Sequence, residues 1–319
     1  MASDFNHAPG DLESRYRGCL VGLACGDAVG TSLEFSPRGS FEPIHDMVGG
    51  GPFRLAPGQW TDDTSMAVCL AQSLLHRGGF DAQDQMNRYV NWWRWGYPSP
   101  TGACFDIGMT VRDALSRFIT TGDAMAGSTD PQTAGNGSLM RLAPVVLRYF
   151  PDMQAVLQHA RLSSQTTHGA LEAVECCSVL AEVIANALTA DPRRGEAGRA
   201  DVLAVAQAGL ASASGIDLAA GRYRGKSRDQ IRGSGYCVAS LEAALWCFAT
   251  TDSFAAAVLA AANLGDDADT TAAITGQVAG AFYGIEGIPA HWRGMLFMGE
   301  EIGQMAAGLL HRDGRAVPV

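Results

Sequence analysis

Asp266-Asp267-Ala268-Asp269-Thr270-Thr271 stands at the head of a small-residue helical stretch predicted over 268–283, and far earlier in the chain Thr61-Asp62-Asp63-Thr64 heads another, predicted over 63–77. Each cluster sets hard oxygen donors at a helix start. Packed side by side, their carboxylates and hydroxyls would form a cage suited to divalent cations that prefer oxygen, Mg²⁺ or Mn²⁺ above all. Capping alone explains either cluster, because Asp and Thr at a helix start accept free backbone N–H groups and favour the positive end of the dipole. The pair says more. Asp62-Asp63 and Asp267-x-Asp269 concentrate more negative charge than a cap needs, and adjacent carboxylates repel unless a cation or proton intervenes.

Working outward, 47% of the 319 residues are hydrophobic, and they recur at helical rather than alternating spacing. Ala is abundant and β-branched runs are scarce, so an all-α fold is expected. Nothing marks a linker, which points to a single compact multi-helix domain over 11–310 with flexible tails at 1–10 and 311–319. The formal charge of −10 argues against a nucleic-acid partner, which would want a basic face. Asp62, Asp63, Asp267 and Asp269 carry four of those negative charges, which two divalent cations would cancel. Only the ion-loaded site should then accept phosphates.

The eight cysteines form no C-x-x-C pair and no zinc spacing with His, and most sit among Ala, Leu and Val as small apolar residues. The start, Met-Ala-Ser-Asp-Phe-Asn-His, lacks the basic and apolar segments of a secretion signal, and the most apolar run, 254–264, is too short to span a bilayer. The expectation is a cytoplasmic monomer without a membrane segment.

After Asp11 a helix shows Leu12, Tyr16, Leu20 and Leu23 on one face and ends in Gly26-Asp27-Ala28-Val29-Gly30. The Gly- and Pro-rich stretch 36–59 is too broken for regular structure and long enough to be a mobile, functional loop. Gly78-Gly79 closes the helix over 63–77, and Asp81 caps one over 82–95. Further helices are predicted at 106–120, 138–149, 153–162, 168–189, 199–213, 236–250, 253–264 and 290–310. Segments around 122–137 and 214–234 carry Gly, Ser and Arg and could fold over a ligand. Trp92, Trp93 and Trp95 cannot all face one way, so core and partial surface packing is expected rather than an adenine box.

An ordered set of motifs is now visible: Gly26-Asp27-Ala28-x-Gly30, Leu33-Glu34-Phe35, Trp60-Thr61-Asp62-Asp63-Thr64, Phe105-Asp106-Ile107-Gly108, Gly135-Asn136-Gly137-Ser138-x-Met140-Arg141, Thr167-His168, Gly235-Tyr236 and the 263–270 segment. The set resembles the ADP-ribosylglycohydrolase family, and most of all its bacterial branch that includes the dinitrogenase-reductase-activating glycohydrolase. The resemblance implies an all-helical fold with two Mg²⁺ or Mn²⁺ ions in a cleft, and hydrolysis of the bond joining ADP-ribose to a modified protein side chain, arginine foremost. Serine-linked ADP-ribose and small ADP-ribosylated molecules stay open as substrates.

Carried over motif by motif, the implied metal ligands are Thr61, Asp62, Asp63, Asp267, Asp269 and Thr270. Asp266 precedes the ligating pair and suits a structural role. The implied substrate contacts are Gly108, Gly135, Asn136, Gly137, Ser138, His168 and Tyr236. Glu34 and Asp106 are the two candidate proton-transfer carboxylates, and the residues do not rank them. Chemistry supports this division, since two divalent ions can orient ribose hydroxyls and supply hydroxide near neutral pH while a carboxylate moves the proton. Glycines at 135 and 137 also suit backbone N–H contact with a pyrophosphate, with Ser138 as an ordinary N-cap the plainer reading.

Three rivals fare worse. A helical diphosphate enzyme of the isoprenoid-synthase kind would want Asp-Asp-x-x-Asp, and Met66 fills the last position. A His-Asp phosphohydrolase would need a histidine in one cluster. A non-catalytic ADP-ribose binder would lack a ligand or an acid, and all are present.

Overall fold

The computed structural model describes residues 9–312, and among them fourteen α-helices alternate with six short 3₁₀ turns, with no extended pairing beyond three isolated bridges. In order they are α1 (Pro9–Gly30), α2 (Asp62–Arg77), α3 (Ala82–Trp95), α4 (Met109–Thr121), α5 (Ala143–Tyr149), α6 (Met153–Gln165) and α7 (Leu171–Ala187). There follow α8 (Glu196–Val202), α9 (Ala213–Ala219), α10 (Cys237–Ala249), α11 (Phe254–Ala262), α12 (Ala268–Tyr283), α13 (Ala290–Met295) and α14 (Gly299–His311).

The centre is set by a spacing of four. Gly18, Gly22, Gly26 and Gly30 lie on one stripe of α1, and Ala268, Ala272, Gly276 and Gly280 on one stripe of α12. The helices run antiparallel with these stripes face to face, Gly18 against Gly280 and Gly30 against Ala268, and a Cβ on any of the four α1 glycines would overlap an α12 carbonyl oxygen. Only glycine permits two backbones to approach so closely. α1 ends at Gly30, in the Gly26–Gly30 segment as expected. Gly26 and Gly30 also serve contact with α12, a role the helix end alone does not reveal.

Every residue of α12 except Tyr283 is buried, with α7, α10 and α11 around it and α14 against α1. A second, smaller core joins α2, α3 and α4 through Met66, Met86, Tyr89, Trp92, Val111 and Phe118. Trp92 is buried there while Trp95 is 74% exposed, the mixture of core and surface expected for that run.

The helices over 63–77, 82–95 and 268–283 fall within a residue of prediction, with Gly78 left-handed after α2 and the Asp81 carboxylate accepting from Asp84 N at 3.0 Å. Elsewhere tertiary contacts override local preference. No helix spans 199–213: α7 side chains take up that backbone, Glu182 accepting from Ala206 N (3.0 Å), Glu175 from Ala211 N (2.6 Å), and Asn186 donating to Ala204 O (3.0 Å). The expected loop 214–234 instead contains most of α9. The helix predicted over 290–310 breaks at Phe297, whose N–H donates to Gly58 O (2.9 Å) and whose carbonyl accepts from Trp60 Nε1 (2.9 Å).

The 36–59 stretch has no regular structure, yet it is pinned rather than loose. Asn263 bonds both backbone groups of Ile44 at 2.9 Å, Asp46 accepts from His291 and Trp292, and Gly50 pairs with Leu55. The tails expected at 1–10 and 311–319 lie largely outside the described residues, except that Pro9 and Gly10 belong to α1 and His311 to α14. Among the described residues no helix is long and apolar enough to cross a membrane.

Candidate active site

α2 begins at a helix end that its own side chains do not cap. Thr61 occupies the N-cap position without a side-chain cap bond, and the work is done from the neighbouring helix. Asp27, wholly buried on α1, accepts from Thr61 N (2.8 Å), Thr64 N (3.0 Å) and Thr64 Oγ1 (2.6 Å). Asp62 and Asp63 are thereby free of capping duty. Asp267, at the N-cap of α12, likewise makes no cap bond. The simple capping reading of both clusters fails on geometry.

The antiparallel α1–α12 seam brings the end of α1 to the start of α12, so the two clusters meet. Thr270 Oγ1 donates to Asp63 Oδ1 at 3.1 Å, and Thr61 Oγ1 lies 3.3 Å from Asp269 Oδ2, each threonine reaching into the other cluster. Carboxylate oxygens of Asp62, Asp63 and Asp269 lie within 4.8 Å of one another, and so do those of Glu34, Asp106 and Asp269. Asp269 is common to both triads. Glu34 Oε2, Asp63 Oδ2 and Asp269 Oδ1 are buried with no hydrogen-bond partner.

Burial first, then mutual repulsion, holds the carboxyls of Asp62, Asp63 and Asp269 well above the usual range. Glu34 is pushed up by burial and by Asp269, Asp106 and Asp62, and burial raises Asp106 to about 7. Asp27 is raised by burial to about 6, its hydrogen bonds from Thr61 and Thr64 opposing the rise. Unpartnered buried carboxylate oxygens in two overlapping triads are what oxygen-preferring divalent cations would satisfy. The residues fit such ions.

These acids form one wall of a cavity of about 790 Å³, a size suited to a nucleotide-like ligand. Glu34, Asp62, Asp106, Gly108, Gly135, Asn136, Gly137, His168, Asp267, Asp269 and Thr270 all line it. Thr61 and Asp63 are buried just behind. Asn136 Nδ2 donates to Asp267 Oδ2 (2.6 Å) and Ser240 Oγ (3.1 Å), tying the 135–137 loop to the acid cluster. Gly135 N and Asn136 N are already bonded to Thr133 O (2.8 Å) and Gly235 O (3.0 Å), so that loop offers an anion fewer backbone donors than its glycines imply. Gly108 opens the longer α4 without a side-chain cap, leaving first-turn N–H groups toward the cavity.

His168 sits beneath the loop, where a Cβ on Gly137 would come within 2.8 Å of its ring. Burial, then Arg141, depresses its pKa to about 3, so the ring is neutral. Arg141 Nη2 donates to Thr167 Oγ1 (2.6 Å), which is hydrogen-bonded to His168 Nδ1 (2.8 Å), so the ring is fixed from the side of Arg141. His168 lines the cavity, with Nε2 and Cε1 on the side of Gly137.

Two expected contacts, Ser138 and Tyr236, are not among the residues that line the cavity. Ser138 is buried, its hydroxyl accepting from Ser164 Oγ (2.9 Å) and Cys177 Sγ (3.3 Å), and α5 begins only at Ala143. Tyr236, 42% exposed, gives its hydroxyl to Glu172 Oε2 (2.7 Å), although its backbone pairs with Gly135. Sequence reasoning assigned no role to Asp27, Arg141 or Thr167. An acid on the glycine stripe's own helix, flanked by apolar residues, was the available signal for Asp27.

A sequence profile of the family described as ADP-ribosylglycohydrolase matches residues 8–317. The chain is 46% identical over 304 residues to a protein of Pseudomonas putida (strain GB-1) named ADP-ribosylarginine hydrolase Tri1, covering 95% of this chain and 80% of that one. It is 31% identical over 295 residues to the ADP-ribosyl-(dinitrogen reductase) glycohydrolase of Rhodospirillum rubrum, covering 90% and 92%. A solved structure titled ADP-ribosylglycohydrolase-related protein complex superposes with a TM-score of 0.82 at 42% identity, covering 95% of this chain and 99% of that one. On its sequence, its helical architecture and its paired acidic helix starts, the chain belongs to the ADP-ribosylglycohydrolase family.

Proposed function

We propose that the protein cleaves the N-glycosidic bond of mono-ADP-ribosylarginine in modified proteins, releasing ADP-ribose and restoring arginine, with two divalent cations, Mg²⁺ or Mn²⁺, at the junction of α1, α2 and α12. One observation carries the reading: Asp62 and Asp63 at one uncapped helix start, and Glu34 and Asp106 beside it, form two carboxylate triads that share Asp269 of the other, in a chain 46% identical to a protein named ADP-ribosylarginine hydrolase. Thr61, Asp62, Asp63, Asp267, Asp269 and Thr270 would hold the ions, joined by the unpartnered Glu34 Oε2. When bound, the cations cancel the buried charge and hold ribose hydroxyls in register.

The other steps fall to the chain's own groups. Water adds to the anomeric carbon as the C–N bond breaks, its electron pair leaving with the guanidine. The proton lost by the water is the proton the guanidine gains. Asp106, partly buried at the cavity wall within 4.8 Å of Asp269 and Glu34, is placed for both transfers. The open first turn of α4 suits pyrophosphate oxygens, and the neutral His168 ring lines the same cavity. Eight free cysteines, seven of them buried, suit the reducing cytoplasm, where we place the enzyme as a monomer.

The test is a panel of defined ADP-ribosyl linkages incubated with enzyme and Mn²⁺ and followed by mass spectrometry. The arginine linkage should be cleaved, and an Asp62→Ala/Asp269→Ala variant should leave it intact. If the wild-type protein binds ADP-ribose yet cleaves none of the linkages, it is a binder and the proposal fails.

A further inference from the structure

Phe35 has three properties that core packing does not explain. Its side chain is 65% exposed, its backbone is left-handed at φ 59°, and it lines the cleft directly after Glu34. A bulky residue resists that backbone region, and an exposed ring gains little from the hydrophobic effect. The fold holds the ring out regardless. Phe35 N–H donates to Asp266 O (2.7 Å) and Asp266 N–H to Ser36 O (2.8 Å), with Asp266 itself left-handed at φ 57°. This pair of bonds clips two strained residues together at the cavity wall, and strain held in this way marks functional positions.

Phe35 also ends a row of three rings. Its centroid lies 6.3 Å from that of Phe53, edge-on at 74°, and Phe53 lies 5.0 Å from Phe105 at 54°. Phe35 follows Glu34 and Phe105 precedes Asp106, so the row joins the chain neighbours of both acids. Phe53, from the pinned 36–59 stretch, is the link. The outermost ring keeps most of its surface free.

We propose that the Phe35 ring is the platform for the leaving group: the planar guanidinium of the modified arginine stacks on it beside the carboxylates of Glu34, Asp106 and Asp266, which makes Phe35 a specificity-determining residue. The inference rests on the arginine reading above. A guanidinium is flat, delocalised and weakly hydrated, so it stacks on an aromatic ring while its edge stays near acids. A serine oxygen, small and neutral, gains nothing from such a surface.

Phe35→Gly separates this role from a folding role, because glycine removes the ring and relieves the left-handed strain together. For an arginine-linked ADP-ribosyl peptide, kcat/KM should fall about 3- to 30-fold in Phe35→Gly and Phe35→Leu and stay near wild type in Phe35→Trp. The Kd for ADP-ribose, which lacks the guanidinium, should not change, and the melting temperature of Phe35→Gly should not drop. Wild-type kcat/KM in Phe35→Gly, or a loss of ADP-ribose affinity matching the loss of kcat/KM, overturns the platform. A wild-type enzyme inert toward the arginine linkage defeats the arginine reading itself, and the platform falls with it.

Discussion

Along the α1–α12 seam, glycines bring two backbones together with nothing between them, whereas just beyond its end Glu34, Asp62, Asp63, Asp106 and Asp269 crowd carboxyl groups that repel one another. The seam is close-packed. The acid cage leaves three buried carboxylate oxygens without partners. Crowded acids need a frame that holds them in place as well as a cation or proton between them, and the close-packed seam supplies that frame. Asp27 joins the two, lying on the seam helix while fixing the start of α2.

Breaking the seam should have the largest effect. Gly26→Val sets a branched side chain against the Ala272 carbonyl, and the helices must part. Stability measured by urea unfolding should fall by about 3 kcal/mol or more, the upper range for overpacking. Gly225→Ala, where a Cβ meets nothing within 4 Å, should change stability by less than about 0.5 kcal/mol.

Titrating the cage should have an intermediate effect. Asp27 and Asp106 have folded-state pKa values of about 6 and about 7, above the unfolded carboxylate value. Their contribution in ion-free protein is therefore fully present below about pH 4 and is lost as pH rises through 6 to 7. In EDTA, urea unfolding should report lower stability at pH 8 than at pH 5, by on the order of 2 kcal/mol. Mn²⁺ should restore more stability at pH 8, where protons no longer compete for the carboxylates. Equal stability at both pH values in EDTA would mean that the acids are not under mutual strain.

A smaller effect than that of the cage should come from Ser138→Ala. Its hydroxyl faces Ser164 and Cys177 rather than the cavity, so stability should drop by about 1 kcal/mol while kcat/KM for the arginine-linked peptide stays unchanged. A large kinetic loss would place Ser138 back among the ligand contacts.

These contrasts also explain what could be read from residues alone. Hydrophobic spacing, Gly78 and Asp81 located α2 and α3, and the charge density at Asp62-Asp63 and Asp267-x-Asp269 marked the cage, because helix periodicity and surplus charge are local signals. Gly26 and Gly30 marked the end of α1 correctly, but the contact that Gly18, Gly22, Gly26 and Gly30 make with α12 depends on a helix more than two hundred residues away and is not legible locally. The stretch 199–213 looked helical on propensity, and only the α7 side chains Glu175, Glu182 and Asn186 show why its backbone bonds elsewhere. The direction of Ser138, the hydroxyl partner of Tyr236 and the exposure of Phe35 depend on residues distant in the chain, and no local pattern carries them.

The central claim is that Asp62, Asp63, Asp267 and Asp269 close around divalent ions. Crystals grown with Mn²⁺ and measured at the manganese absorption edge test it directly. Two anomalous peaks are predicted, both in contact with Asp269, with the first also held by Asp62 and Asp63 and Glu34 Oε2 turned toward the pair. An anomalous map without a peak between Asp62 and Asp269, or with manganese bound only elsewhere, would contradict the account.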